Sequence, residues 1–425
     1  MTTLHLFDCG KNFLEKLSQN RKDLIKNFLM VFALRGVQKI AAIIMIYFLV
    51  RGLSQEQFAF YSLVLTAMGL LSVFTLPELT TTITQSVARG FNGTYRKVMP
   101  LSFLTSWLGS FCLIGGSLWY YLNEANNNAS ALLIAAICFP FSMGLEQWKG
   151  LKKGLEDFKA IAWFSGQIYA IQSALITGSI LLFPGNYVLP ILFFCSTGMV
   201  RNIIQTIRAL HFVKPDDKSE EGSMKYGIKA TIYSFANTLA NQLDKLLLYF
   251  FISPIDMALL VVAEKIPELI KNLIQDVANV MMPRFAKHKE YTKKTDKQLK
   301  ILSGFFAIGI VVFAFLFLPL FFESLFSSSY TDALPYAIAL LCTIALGNFA
   351  TLRSRFIMSK LDISSYRDIT LGMSFTRIIA SLILVPTMGL AGAVISTILY
   401  RLVMIGIVEY IFRTRYKFIL QVSQQ

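Results

Sequence analysis

Ala263-Glu264-Lys265-Ile266-Pro267-Glu268-Leu269-Ile270-Lys271-Asn272-Leu273-Ile274-Gln275-Asp276-Val277-Ala278-Asn279 lies inside an apolar block running from about 255 to 283. Within it Glu264, Glu268, Lys271, Gln275 and Asn279 follow one another at steps of four, three, four and four. That period draws one polar face down an otherwise apolar helix. The block is long enough to cross a bilayer. A charge at the bilayer centre costs at least about 2.5 kcal/mol unless it meets a partner or a polar cavity. The stripe must therefore look into a bundle of helices.

Outward from this helix the same reading finds approximate apolar blocks at 27–50, 58–83, 100–122, 129–148, 160–183, 187–212, 225–252, 301–322, 333–353, 366–386 and 389–412, which with 255–283 makes twelve spans. Pro77, Pro140, Pro190, Pro267 and Pro335 are expected to kink or end helices, which a bundle tolerates. Hydrophobic residues make up 55% of the 425 and charged ones only 15%, against about 25% in soluble domains. The fold class is all-α integral membrane.

A net charge of +15 would suggest nucleic acid in a soluble chain, but here the basic residues sit between apolar blocks, where they set orientation. Counted by connection, about 31 Lys and Arg fall on the N-terminal segment, the even connections and the C-terminal tail, whereas the odd connections offer only Arg51. This asymmetry predicts both termini in the cytoplasm and supports the count of spans. The odd connections are also short, such as Pro184-Gly185-Asn186, and leave no room for a domain outside.

Leu53-Ser54-Gln55-Glu56-Gln57-Phe58-Ala59-Phe60-Tyr61-Ser62 aligns in apolar pattern with Ile252-Ser253-Pro254-Ile255-Asp256-Met257-Ala258-Leu259-Leu260-Val261, at an offset of about 199 residues. Two pseudo-symmetric six-helix lobes follow, at 27–212 and 225–412, joined by a charged cytoplasmic linker at 213–224. Residues 1–26 are expected to form a cytoplasmic segment with an interfacial helix, and 413–425 a cytoplasmic tail. Residues 1–26 have no apolar core or cleavage site of a signal peptide. Transporters built from repeats commonly bind substrate between them.

Eight basic residues lie at membrane depth: Arg35, Lys39, Arg201, Lys245, Lys265, Lys271, Arg377 and Arg401. Arg35 and Lys39 share a helix face, and Asn237, Asn241, Asp244 and Lys245 form a second polar stripe. Together the eight point to a cationic lumen. Guanidinium forks match phosphate oxygens, and amides match sugar hydroxyls, so the substrate expected is an anionic, hydroxyl-rich head group. Competing readings are snorkelling, strongest for Arg35 and Arg201, and structural ion pairs. In the second reading Glu264 or Glu268 pairs with Lys265, Lys271 or Lys245, and Asp244 with its neighbour Lys245. Five cysteines without CxxC spacing and three histidines in basic stretches offer no metal site.

These residues resemble the polysaccharide branch of the multidrug/oligosaccharidyl-lipid/polysaccharide (MOP) exporter superfamily, the O-antigen, Wzx-type flippases. The matching pieces are Leu53-Ser54 to Tyr61-Ser62, Asn241-Gln242-Leu243-Asp244-Lys245-Leu246-Leu247, Ala263-Glu264-Lys265-Ile266, Met282-Pro283-Arg284-Phe285-Ala286 and Gly389-Leu390-Ala391-Gly392-Ala393. The resemblance implies a multi-pass protein of the bacterial inner membrane that moves an undecaprenyl-pyrophosphate-linked oligosaccharide to the periplasmic leaflet by alternating access. It implies partners in membrane lipids and in a polymerase and chain-length regulator of the same pathway. No cofactor is expected beyond coupling to protons or sodium, for which Asp244, Glu264 and Glu268 are the candidates. No Walker motif appears. A multidrug exporter of the same superfamily is the competing transport reading. A membrane polysaccharide polymerase or glycosyltransferase is the competing enzyme, and it lacks the large loop such chemistry needs.

Overall fold

A computed structural model describes residues 36, 38–287, 293–359 and 363–415. Arg35, the segment 1–26 and the tail beyond 415 lie outside them. The helices are α1 (38–52), α2 (Gln55–Leu71), α3 (Glu78–Ala88), α4 (Gly93–Leu122), α5 (Asn126–Phe139), α6 (Trp148–Gly154), α7 (Phe158–Leu182) and α8 (Val188–Phe212), then α9 (Ser223–Leu247), α10 (Pro254–Lys287), α11 (Lys293–Val312), α12 (Leu318–Phe326), α13 (Leu334–Ser359) and α14 (Ile363–Arg415). The rods α2–α3, α5–α6 and α11–α12 are each one span in two parts, and α14 has two arms, so twelve spans result. No strand occurs among the described residues. Among the described residues seven helical stretches are long and apolar enough to cross a membrane, the last of them holding both arms of α14. α9 and α10 fall short of that measure because they carry the polar stripes.

Local chemistry explains the breaks. Ser54 caps α2 by accepting from the Gln57 amide while the Gln57 side chain accepts from the Ser54 amide. At the repeat-related position the Ser253 hydroxyl accepts from Ile255 N at 3.1 Å, with Pro254 as the first residue of α10. α2 and α10 then pack on each other. Leu76 turns left-handed (φ 52°) ahead of Pro77 and ends the first part of its span. Pro140 opens a π-helical turn, Pro140–Gly144, between α5 and α6. Pro190 and Pro335 sit in the first turns of α8 and α13, where proline is tolerated, and Pro267 lies within an unbroken α10. The arms of α14 meet at Gly389 (φ 56°), and a Cβ on Gly392 would stand 2.0 Å from Leu384 O. The glycines of this stretch are thus required by a positive φ and a close backbone approach.

The packing is asymmetric along the bundle axis. One apolar core joins α1, α2, α4, α5, α7 and α8 to α10, α12, α13 and α14, through residues such as Phe58, Phe139, Ile176, Ala263, Phe322 and Val385. Most of it lies in the half away from the basic connections. In the basic half the cores are separate: Leu79, Ile83, Tyr95 and Trp148 on one side, Leu299, Phe356, Val408 and Phe412 on the other. The exception is α9, whose Gly227 lies against Leu79 and Thr82 of α3 and whose Met224 packs on the first of these cores. At the opposite end Arg51 Nη2 donates to Ser324 O (2.9 Å) in the last turn of α12, and Gln55 Nε2 to Ser329 O. The residues before α9 are strapped to the first helices by Gly93 N donating to Lys218 O (3.0 Å) and by Arg89 and Ser86 donating to Glu220.

Candidate functional site

Four helices of the second half line a half-open cavity of about 290 Å³. α9 contributes Asn241, Gln242 and Lys245, and α10 contributes Glu264, Pro267, Glu268 and Lys271. α13 adds Leu340, Thr343 and Ile344; the arms of α14 add Arg377, Thr397, Tyr400 and Arg401. The i, i+4, i+7 stripe of α10 forms one wall, as its period requires. The side chains of Asp276 and Asn279 lie outside the described residues.

The charges divide into compensated and uncompensated sets. Arg377 donates from Nε (3.1 Å) and Nη2 (2.8 Å) to Asp244 Oδ2, and from Nη1 to Asn241 Oδ1 (2.9 Å). Ser396 Oγ stands 3.4 Å from the other Asp244 oxygen, and Asp244 is 1% exposed. Lys245 pairs with Glu264 at 2.9 Å. The expected pairing of Asp244 with Lys245 is therefore corrected: consecutive side chains on a helix diverge by about 100°, and each reaches a different helix. Lys271 and Arg401 make no ion pair among the described residues. Arg401 is 9% exposed; its guanidinium lies 5.6 Å from the Tyr400 ring centroid and 4.0 Å from Met404 Sδ. The Arg377 guanidinium stands 5.6 Å from the same ring. Tyr400 is thus a π surface shared by a neutralised and an unneutralised arginine.

A second cavity, of about 260 Å³, lies between the two halves of the chain, lined by Ala42 and Met45 of α1, Tyr169 of α7, Lys265, Glu268 and Asn272 of α10, and Phe326 of α12. Lys265 faces this space rather than the first cavity, one residue's rotation from the stripe. Glu268 lines both, and has no ion pair among the described residues.

The remaining candidates lie elsewhere. Lys39 is half-buried on α1, whose Gln38 donates to Ala162 O of α7 at 3.3 Å. Arg201 belongs to a polar knot between α8 and the α5–α6 rod: its Nε donates to Asn202 Oδ1 (3.1 Å) and its Nη2 reaches Glu146 (3.4 Å), which Lys149 also engages. Trp148 Nε1 and Asn202 Nδ2 complete that knot.

Sequence reading missed Tyr400, Thr343 and Thr397, which carry no charge and no spacing signal. It also missed Arg353, taken as the end of a span. α13 continues to Ser359, so Arg353 is buried, bonded to Asp296 (2.7 Å) and Glu409 between the rings of Phe349 and Phe412. Its carboxylates were the available signal, since a guanidinium facing two acids from two other helices is a packing device.

A twelve-span bundle whose second half holds a charged cavity is a multi-pass membrane-protein architecture. It is shared with an inward-facing multidrug resistance MATE family transporter of the MOP superfamily (TM-score 0.63, 13% identity, 92% of this chain and 98% of that one). It is shared equally with the lipid II flippase MurJ in an inward closed conformation (0.64, 14%, 91% and 88%) and with the MATE multidrug transporter DinF-BH (0.64, 15%, 92% and 97%). The chain belongs to the polysaccharide biosynthesis protein family, whose profile matches residues 24–289, more than half of the 425. No curated protein matches it in sequence.

Proposed function

We propose that this chain is a flippase, not an enzyme, and that it carries an undecaprenyl-pyrophosphate-linked oligosaccharide, an O-antigen or related surface-polysaccharide repeat unit, across the bacterial inner membrane. The observation that carries the reading is the pair of uncompensated cations, Lys271 and Arg401, lining one cavity with Tyr400, Thr343, Thr397 and Gln242. A buried guanidinium without a carboxylate is costly unless an anion completes it. Pyrophosphate supplies that anion, the amide and hydroxyls suit sugar, and the aromatic ring suits a sugar face. Membership of the polysaccharide biosynthesis family supports a glycan cargo.

In this reading both termini face the cytoplasm, as the basic connections require. The two six-helix lobes, 27–212 and 225–412, rock about the apolar core they share. Lys39 of α1 lies on the first lobe, and Lys265 lines the gap between lobes where the polyprenyl tail stays in lipid. Arg201, held by Glu146 and Asn202, keeps a structural part, and Arg35, outside the described residues, stays a candidate from the sequence alone. Glu268, without an ion pair among the described residues and common to both cavities, is the carboxylate proposed to take the coupling proton or sodium. Glu264 and Asp244 are already engaged by Lys245 and Arg377. A polymerase and a chain-length regulator would receive the product.

Deletion of the gene in its host, with surface polysaccharide and lipid-linked precursor measured, tests this. Loss of surface glycan with precursor kept on the cytoplasmic leaflet is the expected result, restored by the wild-type gene but not by Arg401→Ala. Normal precursor crossing with altered polymer length would overturn it in favour of a polymerase. Unchanged glycan with raised sensitivity to cationic drugs would favour a multidrug exporter.

A further inference from the structure

Outside the transport cavities, a groove of about 190 Å³ opens on the flank of the first six spans, between α6, α7 and α8. Trp148, Leu151 and Ala209, all buried, form its floor, and Trp163 (50% exposed) and Phe212 (55% exposed) form its rim. These last two would be left in hydrocarbon or at its edge. Three polar groups converge on it. Arg208 is exposed, stacked on the Phe164 ring at 5.5 Å, and has no ion pair among the described residues. Lys152 reaches the same groove from α6, with one contact to Asp157 at 2.9 Å. Gln205 is 6% exposed, lines the groove, and its side chain makes no hydrogen bond among the described residues.

Each feature constrains the occupant. The Gln205 amide, with no protein hydrogen bond among the described residues and lining the groove, offers its donors and its acceptor to a polar group seated there. Two cations beside it call for that group to be anionic. The aromatic rim facing the lipid calls for a molecule with an apolar body on the same side. The groove lies at the basic end of α6–α8, among Lys149, Lys152, Lys159 and Lys214, at the level of lipid phosphates. A free anion would satisfy only the cations. We propose that this groove seats an anionic phospholipid of the leaflet at the basic end, its phosphate between Arg208 and Lys152, its head group accepting from the Gln205 amide, and an acyl chain along Trp163 and Phe212. The site is separate from the cavity of α9, α10, α13 and α14 and does not depend on what that cavity carries.

Native mass spectrometry of the purified full chain, titrated with phosphatidylglycerol and with phosphatidylcholine, tests it. The wild type is expected to retain at least one phosphatidylglycerol with about tenfold preference over phosphatidylcholine, and Arg208→Gln and Gln205→Leu each to reduce that retention at least about fivefold. Arg413→Gln, an arginine of the same end with a Glu409 partner, is expected to leave it unchanged. Equal retention by the Arg208 and Gln205 variants, an equal loss in Arg413→Gln, or equal retention of phosphatidylcholine would overturn the proposal. Gln205→Leu breaks no protein hydrogen bond among the described residues and is expected to melt at the wild-type temperature; an equal melting temperature with lost lipid assigns the loss to the groove, and an equal melting temperature with retained lipid overturns the proposal.

Discussion

Arg377 directs two of its nitrogens at a single oxygen of Asp244, 2.8 and 3.1 Å away, across the contact between the first arm of α14 and α9. Both are over nine-tenths buried. Removing one partner of such a pair leaves an uncompensated charge and typically costs about 3–5 kcal/mol, whereas replacing both by apolar groups of similar volume is often neutral. Arg377→Met and Asp244→Leu are each expected to lower the melting temperature in detergent markedly, and the double variant to recover most of the loss. Additive losses in the double variant would show that the two side chains act separately.

Arg401 predicts the opposite sign. It is as buried as Arg377 but has no carboxylate among the described residues, so Arg401→Gln removes a cost rather than a bond. The variant is expected to melt at or above the wild-type temperature while losing surface glycan at least about tenfold, the pattern of a group kept for function at the expense of stability. Lys271→Gln should behave alike. A fall in melting temperature as large as that of Arg377→Met would place Arg401 with the structural pairs.

The strap before α9 responds to pH. Hydrogen bonds from Ser86 (2.6 Å) and Arg89 (2.7 Å) hold the Glu220 carboxyl below its usual range. A carboxylate with a depressed folded-state pKa contributes stability above its unfolded value, about 4.3, and loses it as pH falls through the folded value. The protection of the amides in residues 216–222, taken relative to the intrinsic exchange rate at each pH, is expected to be high at neutral pH and to fall as pH drops below about 4.3. In Glu220→Gln that protection should be low throughout and flat with pH. An unchanged pH profile in that variant would move the effect to another group.

The bundle was legible because membrane insertion imposes rules on sequence itself. Apolar length gives helices, and Glu264, Glu268 and Lys271 at helical spacing give an inward face, both of which the structure reproduces; Lys and Arg placement adds an expected orientation. Partnership was not legible. Whether Asp244 meets Lys245 beside it or Arg377, 133 residues away, depends on which helices adjoin, and hydropathy is silent on that. For the same reason eight cations read as one lumen, whereas the described ones disperse: four on one cavity, Lys265 on a second, Arg201 in the knot with Glu146, and Lys39 on α1. Tyr400 escaped notice because an aromatic in a membrane helix is ordinary until its neighbours are known.

Arg51 is the one basic residue the sequence places on the odd connections, against the charge asymmetry of the whole chain. Its position accounts for that. It stacks over Tyr47 at 4.7 Å and donates to carbonyls at the C-terminal end of α12, where the helix dipole is negative and the last carbonyls lack partners. It thereby fastens the first helices to the later ones at the end where they already share a core. Such a cap contributes about 0.3–1 kcal/mol, enough to shift a two-state balance roughly two- to fivefold. Arg51→Gln is expected to raise, by about that factor, the thiol-labelling rate of a cysteine placed at Ser329, with overall stability little changed. The same substitution should not affect labelling of a cysteine placed at Arg89, at the basic end. If both positions change together, Arg51 supports the general fold; if neither does, the shared apolar core alone holds that end closed.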